Sequence, residues 1–235
     1  MTAVADPTQG TPEIGARRLR KEDQRLVTGR TKWTDNISLP GMVHLAMVRS
    51  PFAHARITGI DTAAATAATN VLAVYTAADF PDGIGACANA WPITPEQVTP
   101  DHLPLVGERV ACAGEIVAVV VARSAAAARD AVELVDVDYE ELPAVFDGRE
   151  AMRDEILAHP DKGTNKSALW RLDSADGGTG GDVEAAITAA RADGILIERE
   201  YRQQRLIPAF MEPRSTVVDP TGEQVTMWTA TQIPH

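Results

Sequence analysis

Seven consecutive apolar residues, Ile116 to Ala122, lead directly into Ser124, an alanine-rich stretch and then an alternating segment. An apolar run of that length, bounded by helix-start chemistry, reads as a strand buried on both faces. The Ser124 hydroxyl suits a helix N-cap, and alanine is the best helix former. In the next strand Val135, Val137 and Tyr139 take one side while Asp136 and Asp138 take the other, and Pro143 ends it. The same strand–helix–strand order recurs earlier in the chain. Ala53 to Thr58 alternates as a half-exposed strand does, Asp61 can cap a helix over Thr62–Thr69, Asn70 suits its end, and Val71 to Tyr75 is a buried strand. Two such units, 54–75 and 116–139, predict an α/β domain with helices covering a sheet.

The remaining segments fit around these units. Gly41 to Val48 reads as a buried strand between Pro40 and Ser50-Pro51. Thr76-Ala77-Ala78-Asp79 resembles a capping box for one helical turn, which Pro81 ends. Pro81 to Pro104 is irregular. Asp147 to Gly181, with Asp176-Gly177-Gly178-Thr179-Gly180-Gly181, reads as a linker. Its glycines do not have phosphate-loop spacing, no strand precedes them and no Lys-Ser/Thr follows. Asp182 then caps a helix with Val183, Ala186, Ile187 and Ala190 on one face. Ile195, Ile197 and Tyr201 mark a strand, and Ser215–Asp219 with Gln224–Thr229 flank Pro220-Thr221-Gly222 as a hairpin.

Charge and cysteine content narrow the classes of partner. The net charge of −11 argues against nucleic acid, whose phosphates call for an excess of Lys and Arg. Cys87 and Cys112 are the only cysteines, and neither lies in a CxxC, so no zinc or iron–sulfur site is readable. His44, His54, His102, His159 and His235 are scattered without metal-ligand spacing. His54 and Arg56 share a strand face that could bind an anion; a packed or subunit-facing role is the preferred reading. No apolar run reaches membrane-span length, and Met1 to Gly15 shows no export pattern. A cytoplasmic location is expected.

Five segments in register resemble the a/b hammerhead domain of molybdenum hydroxylase large subunits, the xanthine dehydrogenase, aldehyde oxidase and aerobic carbon monoxide dehydrogenase family. They are Gly29 to Ile37, Val48 to Ile57 (Val-Arg-Ser-Pro-Phe-Ala-His-Ala-Arg-Ile), Val71 to Asp79, Val110 to Val121 with Gly114 and Glu115, and Ala131 to Val145. Asn36 stands where the family usually has an acid. Arg202 to His235 resembles the start of the first cofactor domain: Met211-Glu212-Pro213-Arg214 approaches Thr229-Ala230-Thr231-Gln232-Ile233-Pro234-His235, which is similar to the strand that carries a cofactor-facing glutamine.

The resemblance implies an α/β (α+β) chain with a leader over 1–24, a hammerhead domain over 25–148, a linker over 149–181 and an incomplete molybdopterin-binding domain over 182–235. It implies a molybdenum–pyranopterin cofactor, with the molybdopterin cytosine dinucleotide form expected, that hydroxylates or oxidises a small molecule. Electrons would leave through a [2Fe-2S] small subunit and an FAD-binding medium subunit in a hetero-oligomer. Gln232 is the one cofactor-binding residue assigned. Its uncharged carboxamide, two donors and one acceptor, can bond an oxygen of the cofactor or the substrate without altering the charge of the site. No catalytic residue or metal ligand is assigned within these 235 residues. Glu212 is read as structural, because the family's catalytic glutamate lies near the far end of the subunit. The glycine-rich GGxFGxK loop, substrate-selecting loop and C-terminal Gly-Glu motif are not in the sequence, so the chain alone is expected to hold no cofactor and to be inactive. Whether it is truncated, split or part of a longer subunit stays open. The rival reading is a non-catalytic hammerhead module that docks partner subunits.

Overall fold

The computed structural model describes residues 19–87, 92–170, 181–204, 206–207 and 209–231. They fall into two compact units, one over 41–201 and one that joins 1–40 to 202–235.

In the larger unit the chain order is β1 (His44–Arg49), β2 (Ala55–Asp61), α2 (Ala63–Ala67), β3 (Val71–Thr76), β4 (Arg109–Val110), β5 (Ile116–Ala122), α3 (Ala125–Val132), β6 (Asp136–Glu141), α4 (Gly148–Ala151) and α5 (Val183–Asp193); α1 (Asp23–Val27) lies in the smaller unit. The fold is α/β, and α2 and α3 both pack on one sheet, that of β1, β3 and β5, as expected, but the strands do not all lie in it. There are two three-stranded sheets, in the orders β1-β5-β3 and β4-β2-β6, and every pairing in them is antiparallel. Each strand–helix–strand unit straddles both sheets: β2–α2–β3 passes from the second to the first, and β5–α3–β6 passes back. Single-sheet βαβ geometry would make parallel neighbours; here the partner of β2 is β6, some eighty residues on, which local patterning does not reveal.

The local signals act as their chemistry suggests. Ser124 Oγ accepts from Ala127 N–H at 3.2 Å and starts α3. Asp61 accepts from Ala63 N–H at 2.8 Å, although α2 is shorter than its alanines allow. Asn70 takes a left-handed φ of 68° at the turn into β3. Asp79 accepts from the Thr76 backbone N–H at 2.7 Å and closes a 3-10 turn over Ala77–Asp79. β5 is the central strand; Val117, Ala118, Val120 and Ala122 are fully buried, and the first three pack with Val48, Ala55, Val110 and Ala131. Its other side differs. Val121 sits between Leu45 and Ala73, and Val119 between Met47 and Tyr75, and on this outer face Leu45, Met47 and Tyr75 are exposed.

The residues Asp147 to Trp170, expected as a linker, are bonded to the rest of the larger unit. Asp147 caps α4, a 3-10 turn covers Pro160–Lys162, and Ser167 exchanges two hydrogen bonds with the Val98 backbone at 2.8 and 2.9 Å. Asp182 starts α5 as expected, accepting from Ala185 N–H at 3.0 Å, yet no residue of α5 is buried. The strand expected at Ile195, Ile197 and Tyr201 does not form. These side chains are 88%, 75% and 89% exposed, and with no neighbouring strand an alternating pattern has nothing to pair with.

In the smaller unit β7 (Thr216–Asp219) and β8 (Thr226–Thr229) form the expected hairpin, with Val217 buried and the Thr34–Asn36 turn against β7. Asp219 Oδ1 accepts from both Thr221 N–H and Thr221 Oγ1, which fixes the start of the loop and lowers the Asp219 pKa. Among the described residues no helix is long and apolar enough to cross a membrane.

Candidate functional site

Three of the segments that suggest a family contact each other in the larger unit. Arg49 Nη1 donates to Gly114 O at 2.6 Å, Gly114 N–H to Ser50 O at 2.8 Å, and Ser50 N–H to Glu115 O at 2.9 Å. The Glu115 carboxylate accepts from Ala111 N–H at 2.6 Å. Gly114 makes this turn at φ 96°, a conformation that a side chain would oppose. Phe52 packs against Tyr139 with the rings tilted by 46° and their centroids 4.9 Å apart, and Leu142 N–H donates to His54 O at 2.9 Å. The Arg-Ser-Pro segment, the Gly114-Glu115 turn and the Tyr139–Pro143 segment are therefore one bonded cluster at the end of the sheets.

From that cluster His54, Leu142 and Pro143 line a cleft of about 730 Å³. His54 lies at the entry to β2, buried, and its Nδ1 is 2.7 Å from Pro143 O. A carbonyl only accepts, so Nδ1 carries the proton and in the neutral ring Nε2 is an acceptor. Nε2 is buried and no group bonds it. Such an orphan typically costs about 1–3 kcal/mol. Arg56, on the same strand, pairs with Glu140 across the β2–β6 register. Arg109 pairs with Asp161 at 3.2 Å. The facing wall is Glu155, Ile156 and Leu157. It is clamped from behind: Asp154, at φ 58°, accepts from Asn165 N–H at 2.8 Å and Lys166 Nζ at 3.0 Å. Asn165 in turn donates to Ile156 O at 2.7 Å and accepts from Ala158 N–H at 2.9 Å. The Asn165 backbone bond, then the Lys166 contact, hold the Asp154 pKa below its ordinary value.

A second cleft, of about 590 Å³, shares Gly107, Glu108 and Arg109 with the first and reaches His159 and Asp161. Gly107 is dictated by space, since a Cβ there would lie 2.8 Å from the Ala77 Cβ. Burial would raise the Asp161 pKa, but bonds from its own backbone N–H, Lys162 and Arg109 outweigh it and lower it. His159 is also lowered, chiefly by burial; Arg109 and His54 push the same way, Asp161 and Glu115 against. A base whose pKa falls on folding binds more protons unfolded, so its contribution to stability is complete above the unfolded value of 6.5 and is lost as pH falls below it. His159→Gln is therefore expected to flatten the loss of stability below pH 6.5, measured by denaturant unfolding across pH; an unchanged slope would remove His159 from this role.

Gln232 lies outside the described residues, as do His235 and Pro208. The hairpin leading to it is described as far as Thr231, and Ala230 N–H bonds Ser215 O at 3.1 Å, so the pairing of the strands carries on past β8. Glu212 and Arg214 are exposed, and Arg214 lies over the Phe210 ring at 5.3 Å. Among the described residues no group of three or more His, Cys, Asp or Glu could hold a metal, and the scattered histidines do not converge on one. Sequence reasoning preferred a packed or subunit-facing role for His54, which is buried here, set His159 aside with the other scattered histidines, and did not single out Asn165. No local signal marks them, because their partners are set by the tertiary fold.

Residues 28–143 match the model of the aldehyde oxidase and xanthine dehydrogenase a/b hammerhead domain, and residues 159–235 that of the molybdopterin cofactor-binding domain. The chain belongs to the molybdenum hydroxylase large-subunit family. It is 36% identical to the nicotine 6-hydroxylase large subunit of Paenarthrobacter nicotinovorans, over 94% of this chain and 26% of that one. It is 33% identical to the carbon monoxide dehydrogenase large chain of Afipia carboxidovorans, over 98% and 28% respectively. Among solved structures, quinoline 2-oxidoreductase from Pseudomonas putida 86 matches with a TM-score of 0.55 and 43% identity, over 63% of this chain and 19% of that one. The chain thus spans about a quarter of the length of these curated relatives. It covers the hammerhead and the start of the cofactor domain of such subunits.

Proposed function

We propose that this chain is the front portion of the molybdenum-bearing catalytic subunit of an oxidoreductase, working in the cytoplasm with an iron–sulfur subunit and an FAD subunit. The observation that supports it most is the pair of family matches in consecutive order, hammerhead then cofactor domain, over most of the chain. We assign the hammerhead to 25–148, a connection to 149–181 and the cofactor domain's start to 182–235. The bound group, in its cytosine dinucleotide form, would supply the oxidative chemistry on a small molecule. The protein's part is positioning. The antiparallel hairpin β7–β8 would hold the Gln232 amide as a neutral hydrogen-bonding group toward the cofactor or substrate. Relatives whose names include a large chain or a complex subunit support a multi-subunit assembly.

One observation favours the rival, a module that docks subunits without catalysis: the apolar outer face of Leu45, Met47 and Tyr75 is 42–58% exposed in this chain. Purifying the product of the complete reading frame separates the two readings. Stoichiometric molybdenum and cytosine nucleotide, with iron and flavin on co-purifying subunits, are expected. A folded product that gathers those subunits yet never loads molybdenum would establish the docking module instead.

A further inference from the structure

We propose that the free edge of β1 takes up one further β-strand, supplied by the later part of the same subunit. This rests on the reading that the chain is the front portion of a longer subunit, and it names the partner of the outer face. The starting point is a contrast between the two sheets. A sheet edge presents unpaired N–H and C=O groups, and natural proteins blunt it with short strands, charge or bulges. The sheet β4-β2-β6 is blunted on both sides: β4 has two residues, and β6 carries Asp136, Asp138, Glu140 and Glu141. In β1-β5-β3, the edge strand β3 has a register shift between Val71 and Ala73. β1 has none of these devices over residues 44–48, which pair with 118–122 without a break. Its one arginine, Arg49, is turned to Gly114 O. Among the described residues no backbone hydrogen bond reaches 44–48 from the side away from β5.

The face beside this edge is apolar. Leu45 and Met47 stand on it with Tyr75, whose ring lies 6.1 Å from that of Phe80, and all four are 40–58% exposed. A strand with apolar residues at alternate positions would pair with β1 and extend that row. Size selects the source of the strand. A stable interface between separate chains buries about 1,200–2,000 Å², with about 20–30 residues a side. A five-residue edge and four half-exposed side chains fall short of that, so they do not by themselves hold a second copy or a separate subunit. A covalently attached segment needs far less, because its tether sets an effective concentration on the order of millimolar. The cofactor-domain match follows the hammerhead match on one polypeptide, and the chain spans only 26% and 28% of the two curated relatives, which have ample further chain.

The test compares this 235-residue chain with the product of the complete reading frame, by hydrogen exchange over residues 44–48. The amides there that β5 does not bond are expected to exchange about 100-fold more slowly in the complete subunit. Met47→Lys puts a charge on the edge; it should leave the short chain folded and return those amides to their open rate in the complete subunit. Leu45→benzoylphenylalanine, irradiated in the complete subunit, should cross-link to a later peptide of the same polypeptide, and this decides the matter should Met47→Lys fail to fold. A cross-link to a second copy or to a co-purifying subunit, amides as open as in the short chain, or a Met47→Lys subunit as protected as its parent would each overturn the proposal. Molybdenum analysis of the same sample keeps the two readings apart. A molybdenum-loaded product with open β1 amides overturns the strand addition alone. A product that never loads molybdenum, yet protects β1 with its own later sequence, overturns the oxidoreductase reading alone.

Discussion

Gln232→Ala in the complete subunit is expected to lower turnover about 100-fold while leaving the fold and the molybdenum content unchanged. The magnitude is that of removing one preorganised hydrogen-bond donor from the place where charge develops, about 3 kcal/mol. The expectation rests on the proposed placement of the amide at the end of the β7–β8 hairpin. The hairpin does not need that amide. Its pairing runs through Thr216–Asp219 and Thr226–Thr229, the Thr216 and Thr229 hydroxyls bond each other at 3.0 Å, and Val217 supplies its buried contact. Loss of turnover should therefore appear without loss of stability. Gln232→Glu makes the distinction sharper: it keeps the shape, replaces a donor with a charge, and should be at least as damaging. Steady-state kinetics with metal analysis on each variant checks this. An alanine variant with full turnover at full molybdenum content would show that the residue is only a polar member of its strand.

The extent to which the sequence foretells this molecule follows from the range of each interaction. Ser124, Asp182 and Asp79 each bond a backbone N–H no more than three residues away, and each was legible. β5 was legible because a fully apolar run has few alternatives. The assignment of strands to two sheets was not, because His54, Arg56 and Ile57 meet Glu140, Tyr139 and Leu142 through pairing that no local period encodes. Ile195, Ile197 and Tyr201 show the converse: the alternation was there and the partner was not. The clamp of Asp154 and Asn165 was hidden for another reason. A polar stretch with proline and glycine reads as a connection whatever its side chains bond to, and only the fold reveals that Asn165 spans back to Ala151, Ile156 and Ala158. The candidate site divides the same way. The family motifs marked the floor around His54, and nothing marked the wall opposite.

Val120→Asp is expected to unfold the larger unit, while Leu45→Asp, on the same sheet, should change stability by no more than about 1 kcal/mol. Val120 is fully buried on the central strand, facing Ala46 on one side and Val74 on the other. A carboxylate there has no cation and no donor, and an uncompensated buried charge costs about 3–5 kcal/mol or more. A natural domain has only about 5–15 kcal/mol in total. Val120→Ala, which leaves a small void, should cost about 2 kcal/mol and stay folded, separating lost packing from buried charge. Leu45 is 58% exposed on the opposite face, so in this chain its replacement removes little from the core. Chemical denaturation of the three variants reads all of this. The same pair then tests the outer face in the complete subunit. There, Leu45→Asp should leave the hammerhead folded yet weaken whatever association covers Leu45, Met47 and Tyr75, seen as a loss of co-purifying protein or of the cofactor domain's protection from protease. If Leu45→Asp were as destabilising as Val120→Asp in the isolated chain, the face would already be part of the core. If it were silent in both settings, that face would be free surface in the assembly too, and the docking role would lose its support.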